Sequence, residues 1–351
     1  MTRKIPMLDF NNTEEILKLD PQRTLETTEN ALKQFKAAWE EVTSLDVPKI
    51  EGVNKIVFCG MGASVYGALA LRALMGRNLP FPTEVISDYY VPDYVDENTL
   101  VVLTSYSGTT EEVLSCAEDA KSKKAKMVIL TKGGPLAEFA KDNNVPAYIF
   151  DGKLNIAGIP RLGNGYTILG LIGLLSKTKV IDIEEHEIGG AIKRLEDKFQ
   201  EIKEAAVVEF KLFENKIPVI FAAEHLAGNA QIFRNQFNET SKTFSTHFLI
   251  PDLNHHLMEG LQFPKGAPLQ FVILNSQNYS EKIQKRVELT KEVIKKNGYD
   301  VHEFITSGQT VYDDFLETLQ FGSFVTLYLG LAYEQNPAVN PWVDWFKDQL
   351  K

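Results

Sequence analysis

Two short apolar runs, residues 56–59 and 100–104, each stop at a loop rich in Gly and Ser, and few architectures accommodate that repeat. The first loop reads Gly60-Met-Gly62-Ala63-Ser64, and the second reads Ser105-Tyr-Ser107-Gly108-Thr-Thr110-Glu111. β-Branched runs that end abruptly at small residues are how strands buried on both faces of a parallel sheet read. A helical pattern follows each loop: residues 66–75 are rich in Ala and Leu, and residues 111–121 open with two acids, as a helix N-terminus prefers. Units of strand, loop and helix aim main-chain N-H groups and a positive helix end at one point beyond the sheet, which suits an anion. Ser105, Ser107 and Thr110 add hydroxyl donors that match a phosphate, and Gly108 permits a tight turn or a close approach. The same residues would also serve as an ordinary helix N-cap, but the upstream glycine loop ending at Ser64 favours an anion site.

A chain of 351 residues suggests two domains, each long enough to bury a sizeable core. Hydrophobic residues make up 44% and charged residues 24%, the balance of a soluble globular protein. A net charge of −10 without any basic block argues against nucleic acid. No uninterrupted apolar run reaches spanning length and residues 1–6 show no leader pattern, so neither a membrane nor a secretory route is expected. Cys59 and Cys116 fall within an apparent strand and helix, where cysteine acts as a small buried hydrophobe, and a reduced, cytoplasmic setting fits. Scattered histidines offer no clustered ligand spacing, so neither metal nor cofactor is expected. A dinucleotide is disfavoured too, because the first loop lacks the third glycine of that fingerprint.

Residues 1–45 carry a helical period, with Leu32, Phe35, Ala38 and Trp39 on one face, and read as two helices outside the first sheet. Residues 46–180 alternate strand and helix, with strands at 56–59, 82–87, 100–104, 127–131 and 147–150. The fold class is therefore α/β, a doubly wound parallel sheet with ligands at the carboxyl ends of its strands. Residues 166–177 form an apolar helix too short to span a bilayer, for a core or dimer interface. The Arg161 just before it, framed by Pro160 and Gly163, would make a structural salt bridge or clamp an oxyanion with its planar fork. Residues 181–215 read as a charge-rich helical connector with a solvated face, His186 being a surface residue. Residues 216–351 repeat the theme, with strands at 218–223, 270–274 and 301–304 and helices at 226–237, 281–297 and 315–332. Two domains related by duplication are expected, but the loop after Ala223 lacks the hydroxyls, so the phosphate is assigned to the first half.

At its two loops the chain resembles the sugar isomerase (SIS) family of phosphosugar-binding domains. Further on, Asn238-Glu239-Thr240-Ser-Lys242 and Pro251-Asp-Leu-Asn254-His255-His256 are similar to the Asn-Glu-Asn-x-Lys and Pro-Glu-Leu-Asn-His-Asn-Glu segments of bifunctional phosphoglucose/phosphomannose isomerases. The resemblance runs over roughly residues 20–351 and implies two flavodoxin-like, three-layer αβα domains with N- and C-terminal helical extensions. It implies an aldose-ketose isomerase that interconverts glucose 6-phosphate, and mannose 6-phosphate, with fructose 6-phosphate through a cis-enediolate. That chemistry needs a base, a ring-opening group and positive charge near the intermediate. By the resemblance, Gly62, Ala63, Ser64, Ser105, Ser107 and Thr110 hold phosphate, Glu239 is the base, His255 with Lys347 opens the ring, and Arg161 steadies the enediolate. It also implies a homodimer with a shared active site, a small phosphosugar as sole partner, and no cofactor. Taken alone, Glu239 would read as a solvated charge at a helix end and Lys347 as an exposed lysine on a terminal helix. The chain departs from the family at Thr240, at His256 and Leu257, and at Asn340, all expected near the sugar ring. Those departures leave open a phosphosugar sensor that has lost the chemistry, or an isomerase of another phosphosugar.

Overall fold

The computed structural model describes residue 10 and residues 12–350; the opening residues inspected for a leader lie outside them. Five strands, β1 (Lys55–Cys59), β2 (Thr83–Ile86), β3 (Thr99–Ser105), β4 (Lys126–Thr131) and β5 (Ala147–Ile149), form a parallel sheet in the order β2-β1-β3-β4-β5. Four more, β6 (Ile217–Ala222), β7 (Thr246–Leu249), β8 (Leu269–Ser276) and β9 (Val301–Thr306), form a second parallel sheet in the order β7-β6-β8-β9. In both sheets the order reverses beside the first strand, which opens a crevice at the carboxyl ends there. Every residue of β3 is buried, which is why its centre, residues 100–103, is an unbroken apolar run.

Three helices precede the first sheet, α1 (Thr13–Leu19), α2 (Thr24–Glu29) and α3 (Ala31–Thr43), where the sequence suggested two. Asp20 breaks the run by accepting the N-H groups of Thr24 and Leu25 at 2.9 and 2.8 Å, and Asn30 interrupts it again. The remaining helices are α4 (Tyr66–Met75), α5 (Glu111–Ser122), α6 (Gly134–Asp142), α7 (Gly170–Lys177), α8 (Glu185–Glu209), α9 (Ala227–Glu239), α10 (Leu253–His256), α11 (Glu281–Lys296), α12 (Val311–Ala332) and α13 (Pro341–Gln349). The apolar helix read at 166–177 begins as a π-helical turn, Gly165–Leu169, before it becomes α7.

Val101, Leu103 and Ile129 on one face of the first sheet pack under α5 and α6, with Cys59 and Cys116 buried there as unpaired thiols. Ile56, Phe58, Leu100 and Val102 on the other face belong to a core that continues through α4 into α9, α12 and the second sheet. The two domains thus share one apolar interior. α4 and α9 touch closely: a Cβ on Gly228 would stand 2.7 Å from the carbonyl oxygen of Leu69.

The charge-rich segment read as a solvated connector is mostly α8, and its inner stripe of Ile188, Ala191, Ile192, Leu195, Ile202 and Ala206 is buried. That stripe packs along α12, where Arg194 pairs with Asp313 at 2.7 Å and Lys198 with Glu317 at 2.5 Å. α12 is long and apolar enough to cross a membrane by length and composition, yet its apolar window is 94% buried inside the protein, which makes it a core helix. The edge strand β7 was not anticipated. Its four residues are only half-buried or exposed and follow a polar turn, so they lack the apolar run that marked the other strands.

Candidate active site

Both glycine loops sit at the carboxyl ends of β1 and β3, beside the switch point of the first sheet. Gly62 opens a tight helical turn with φ +54°, and Ser64, buried, accepts the N-H of Tyr106 at 3.4 Å, so the two loops touch. In the second loop the Ser105 and Thr110 hydroxyls bond each other at 2.7 Å, and Ser105 Oγ also accepts the Gly108 N-H at 3.1 Å. Ser107, exposed, shares a 2.9 Å hydrogen bond with Thr109. Gly108 has φ +73°, and a Cβ there would fall 1.8 Å from the Gly133 carbonyl oxygen; no other residue fits that turn. Thr110 caps α5, whose first turn points its N-H groups into the same crevice.

Arg161 stands in the turn Pro160–Leu162, packed against the first loop. The second loop holds this turn too, since Asn155 donates to both the Tyr106 hydroxyl and the Ile159 carbonyl at 2.8 Å. Arg161 is only 5% exposed, and it reaches across the domain boundary. Its Nη1 lies 3.8 Å from Glu239 Oε2, its Nε donates to Thr240 Oγ1 at 3.4 Å, and its Nη2 donates to the carbonyls of Pro337 and, at 3.1 Å, Ala338. Burial pulls the guanidinium pKa down while the Glu239 charge pulls it up, and arginine remains charged throughout. A cation so enclosed is tolerated only with such partners, and it keeps one face toward the carboxylate.

Glu239 is the last residue of α9, a third exposed, where it is brought beside the first domain by the close crossing of α4 and α9. Asn340 closes the group: with its side-chain amide assigned so that both ends are satisfied, its oxygen accepts Arg161 Nη1 at 3.1 Å and its nitrogen donates to the main-chain oxygens of Glu239 and Val339 at 3.1 and 3.0 Å. Two further residues were given no role by sequence reasoning. Lys242 Nζ donates to the main-chain oxygens of Glu239 and, at 2.6 Å, Val339; burial and the Arg161 charge push its pKa down to about 8 against the pull of Glu239. Tyr66 begins α4 with a wholly buried hydroxyl, and burial together with the Glu239 charge raises its pKa so that it stays a neutral phenol. A lysine in the same short segment as the acid was the only signal available for Lys242.

His255 and Lys347 do not join this group within one chain. His255 is exposed on α10, where its neighbour Asn254 is held by Arg286 at 3.2 Å and Thr290 at 2.9 Å. Lys347 is exposed on α13, whose residues are all solvent-facing. Neither side chain bonds to another of the expected site residues among the described residues. No group of three or more His, Cys, Asp or Glu side chains among the described residues converges as metal ligands would.

Two doubly wound parallel sheets, with a hydroxyl-lined crevice in one and an acid from the other at its rim, define a protein of the SIS-domain class. Residues 49–148 match the SIS domain model, and residues 201–350 match that of the bacterial phospho-glucose isomerase C-terminal SIS domain. The bifunctional phosphoglucose/phosphomannose isomerase of Caldicellulosiruptor bescii is 29% identical over 339 residues, covering 93% of this chain and 98% of that one. Its counterpart in Thermoplasma acidophilum is 30% identical over 285 residues, covering 81% and 86%. The solved tagatose-6-phosphate ketose/aldose isomerase of Escherichia coli has the same fold at a TM-score of 0.66 and 14% identity, with 93% of each chain covered. This chain belongs to the bifunctional phosphoglucose/phosphomannose isomerase family.

Proposed function

We propose that the protein is an aldose-ketose isomerase that interconverts glucose 6-phosphate, and mannose 6-phosphate, with fructose 6-phosphate, acting as a cytoplasmic homodimer. The observation that carries the reading is the approach of Arg161 to Glu239 at 3.8 Å across the domain boundary, beside the hydroxyl loops. Gly62, Ala63, Ser64, Ser105, Ser107 and Thr110 receive the phosphate, through main-chain N-H groups, hydroxyls and the α5 N-terminus. The sugar then extends toward the rim. Glu239 removes the C2 proton of the open-chain aldose and returns it to C1, and the reverse reaction begins with the proton on C1 of the ketose. Negative charge gathers on the C1 and C2 oxygens in between, and Arg161, already desolvated and fixed by carbonyls, faces that charge with no reorganisation. Ring opening needs a proton donor at the ring oxygen, and His255 of the partner subunit with Lys347 supplies it. The outward display of His255, and the exposure of Trp342, Trp345 and Phe346 on α13, support a partner subunit.

Glu239→Gln is expected to lower kcat by about 10²- to 10⁴-fold and to abolish exchange of solvent deuterium into C2 of the sugar, with substrate binding retained. Exchange at the normal rate in that variant would remove Glu239 from the role.

A further inference from the structure

The second sheet has a crevice of its own, built like the first. β1 leads through Gly62 at φ +54° into a tight helical turn and α4; β6 leads through Glu224 at φ +43° into a tight helical turn and α9. β3 leads through residues 105–110 to α5, capped by Thr110; β8 leads through residues 276–280 to α11, capped by Ser280. Each crevice is also flanked by a helix from the other domain, α9 ending beside the first and α4 ending beside the second. The second crevice opens into a cavity of about 1010 Å³ lined by Arg72, Arg77, Glu224, His225, Asn278 and Ser280.

The two crevices differ in what their donors hold. In the first, Ser105 and Thr110 bond each other, and no carboxylate side chain among the described residues bonds to either. In the second, Glu224 Oε2 accepts the Ser280 N-H at 3.0 Å and Oε1 accepts the Ser280 hydroxyl at 2.6 Å, so a carboxylate already sits at the N-terminus of α11. Behind it, Asp314 takes the Ser276 hydroxyl at 2.5 Å, the Asn278 amide at 2.8 Å and His225 Nε2 at 3.0 Å. Glu224 bonds there although its backbone, at φ +43°, lies in the left-handed region that favours glycine.

We propose that Glu224 is a tethered anion filling the second domain's phosphate cradle, and that this side chain, rather than any difference of fold, confines phosphosugar to the first crevice. The inference rests on the reading that the first crevice holds the phosphate. A carboxylate attached to the cradle presents itself at an effective concentration of about millimolar or more, which free phosphosugar must exceed to displace it. Removing it would leave the Ser280 N-H and hydroxyl free, with Arg72 and Arg77 lining the same cavity to help neutralise a dianion.

Glu224→Gly tests this, since glycine suits the left-handed turn and the variant should fold and keep its isomerase activity. Inorganic phosphate is titrated into the full-length protein and followed by phosphorus NMR, with and without Ser107→Ala and Thr110→Ala. The triple variant is expected to bind phosphate at least about ten-fold more tightly than the Ser107→Ala, Thr110→Ala protein. A folded, active Glu224→Gly protein that gains no phosphate binding in either background overturns the role of Glu224. Undiminished phosphate binding by Ser107→Ala, Thr110→Ala alone overturns instead the first-crevice reading beneath it.

Discussion

Lys242 is held to a pKa of about 8 by burial and by the Arg161 charge, so it loses its proton at a pH where an ordinary lysine keeps it. Its folded pKa lies below the unfolded value, so the buried charge costs stability below about pH 8, and that cost fades as pH climbs from about 8 past 10. Function is expected to run the opposite way. A neutral amine bonds more weakly to the carbonyls of Glu239 and Val339 and no longer adds positive field beside the reacting carbons. The expected result is a fall in kcat through about pH 8 in wild type, shifted to higher pH in Lys242→Arg and absent in Lys242→Met. A kcat profile against pH checks this; an alkaline limb identical in all three proteins would assign it to another group. Arg161 sits beside the same carboxylate but stays charged over this range, so it contributes no limb of its own.

Among the elements, the pairing of α4 with α9 helps carry the site, because it fixes, together with the Arg161 contacts, where Glu239 falls relative to the loops of the first sheet. Gly228→Ala would drive a methyl into the Leu69 carbonyl and push these helices apart. A loss of about 1–3 kcal/mol in stability is expected, read as a lowered Tm, together with a kcat that falls more than KM rises. Unchanged kcat at reduced Tm would separate the helix contact from the chemistry. Most elements were legible in the sequence because each buried strand is a compact apolar run and each loop ends in small residues, as at Ile56 to Ser64 and Leu100 to Thr110. β7 was not, since an edge strand half in solvent carries no such run. The break at Asn30 was missed because its side-chain amide, which donates to the Glu26 carbonyl at 2.9 Å as α2 ends, looks in sequence like one more polar residue on a helix face. The grouping of Arg161 and Glu239 with Asn340 and Lys242 joins segments remote in the chain; the framing of Arg161 and the resemblance pointed toward Arg161, Glu239 and Asn340, while nothing gave Lys242 a role. The Glu224 to Ser280 contact had no local signal at all.

At the scale of the whole molecule, the placement of His255 decides how many chains make a site. If His255 of the partner subunit completes each site, mixing Glu239→Gln with His255→Ala protein under subunit exchange should regain about a quarter of wild-type activity, as random pairing gives half mixed dimers with one intact site each. Two inactive proteins that stay inactive when mixed would place the histidine and the acid in the same chain. The apolar interior shared by both sheets has a different consequence. A seam of that kind leaves the two halves no joint on which to swing like jaws, so a sugar cannot be swallowed by closure of one half on the other. It must thread in from the open rim, and traffic through that doorway, more than any clamping of the body, becomes the natural place for turnover to be throttled.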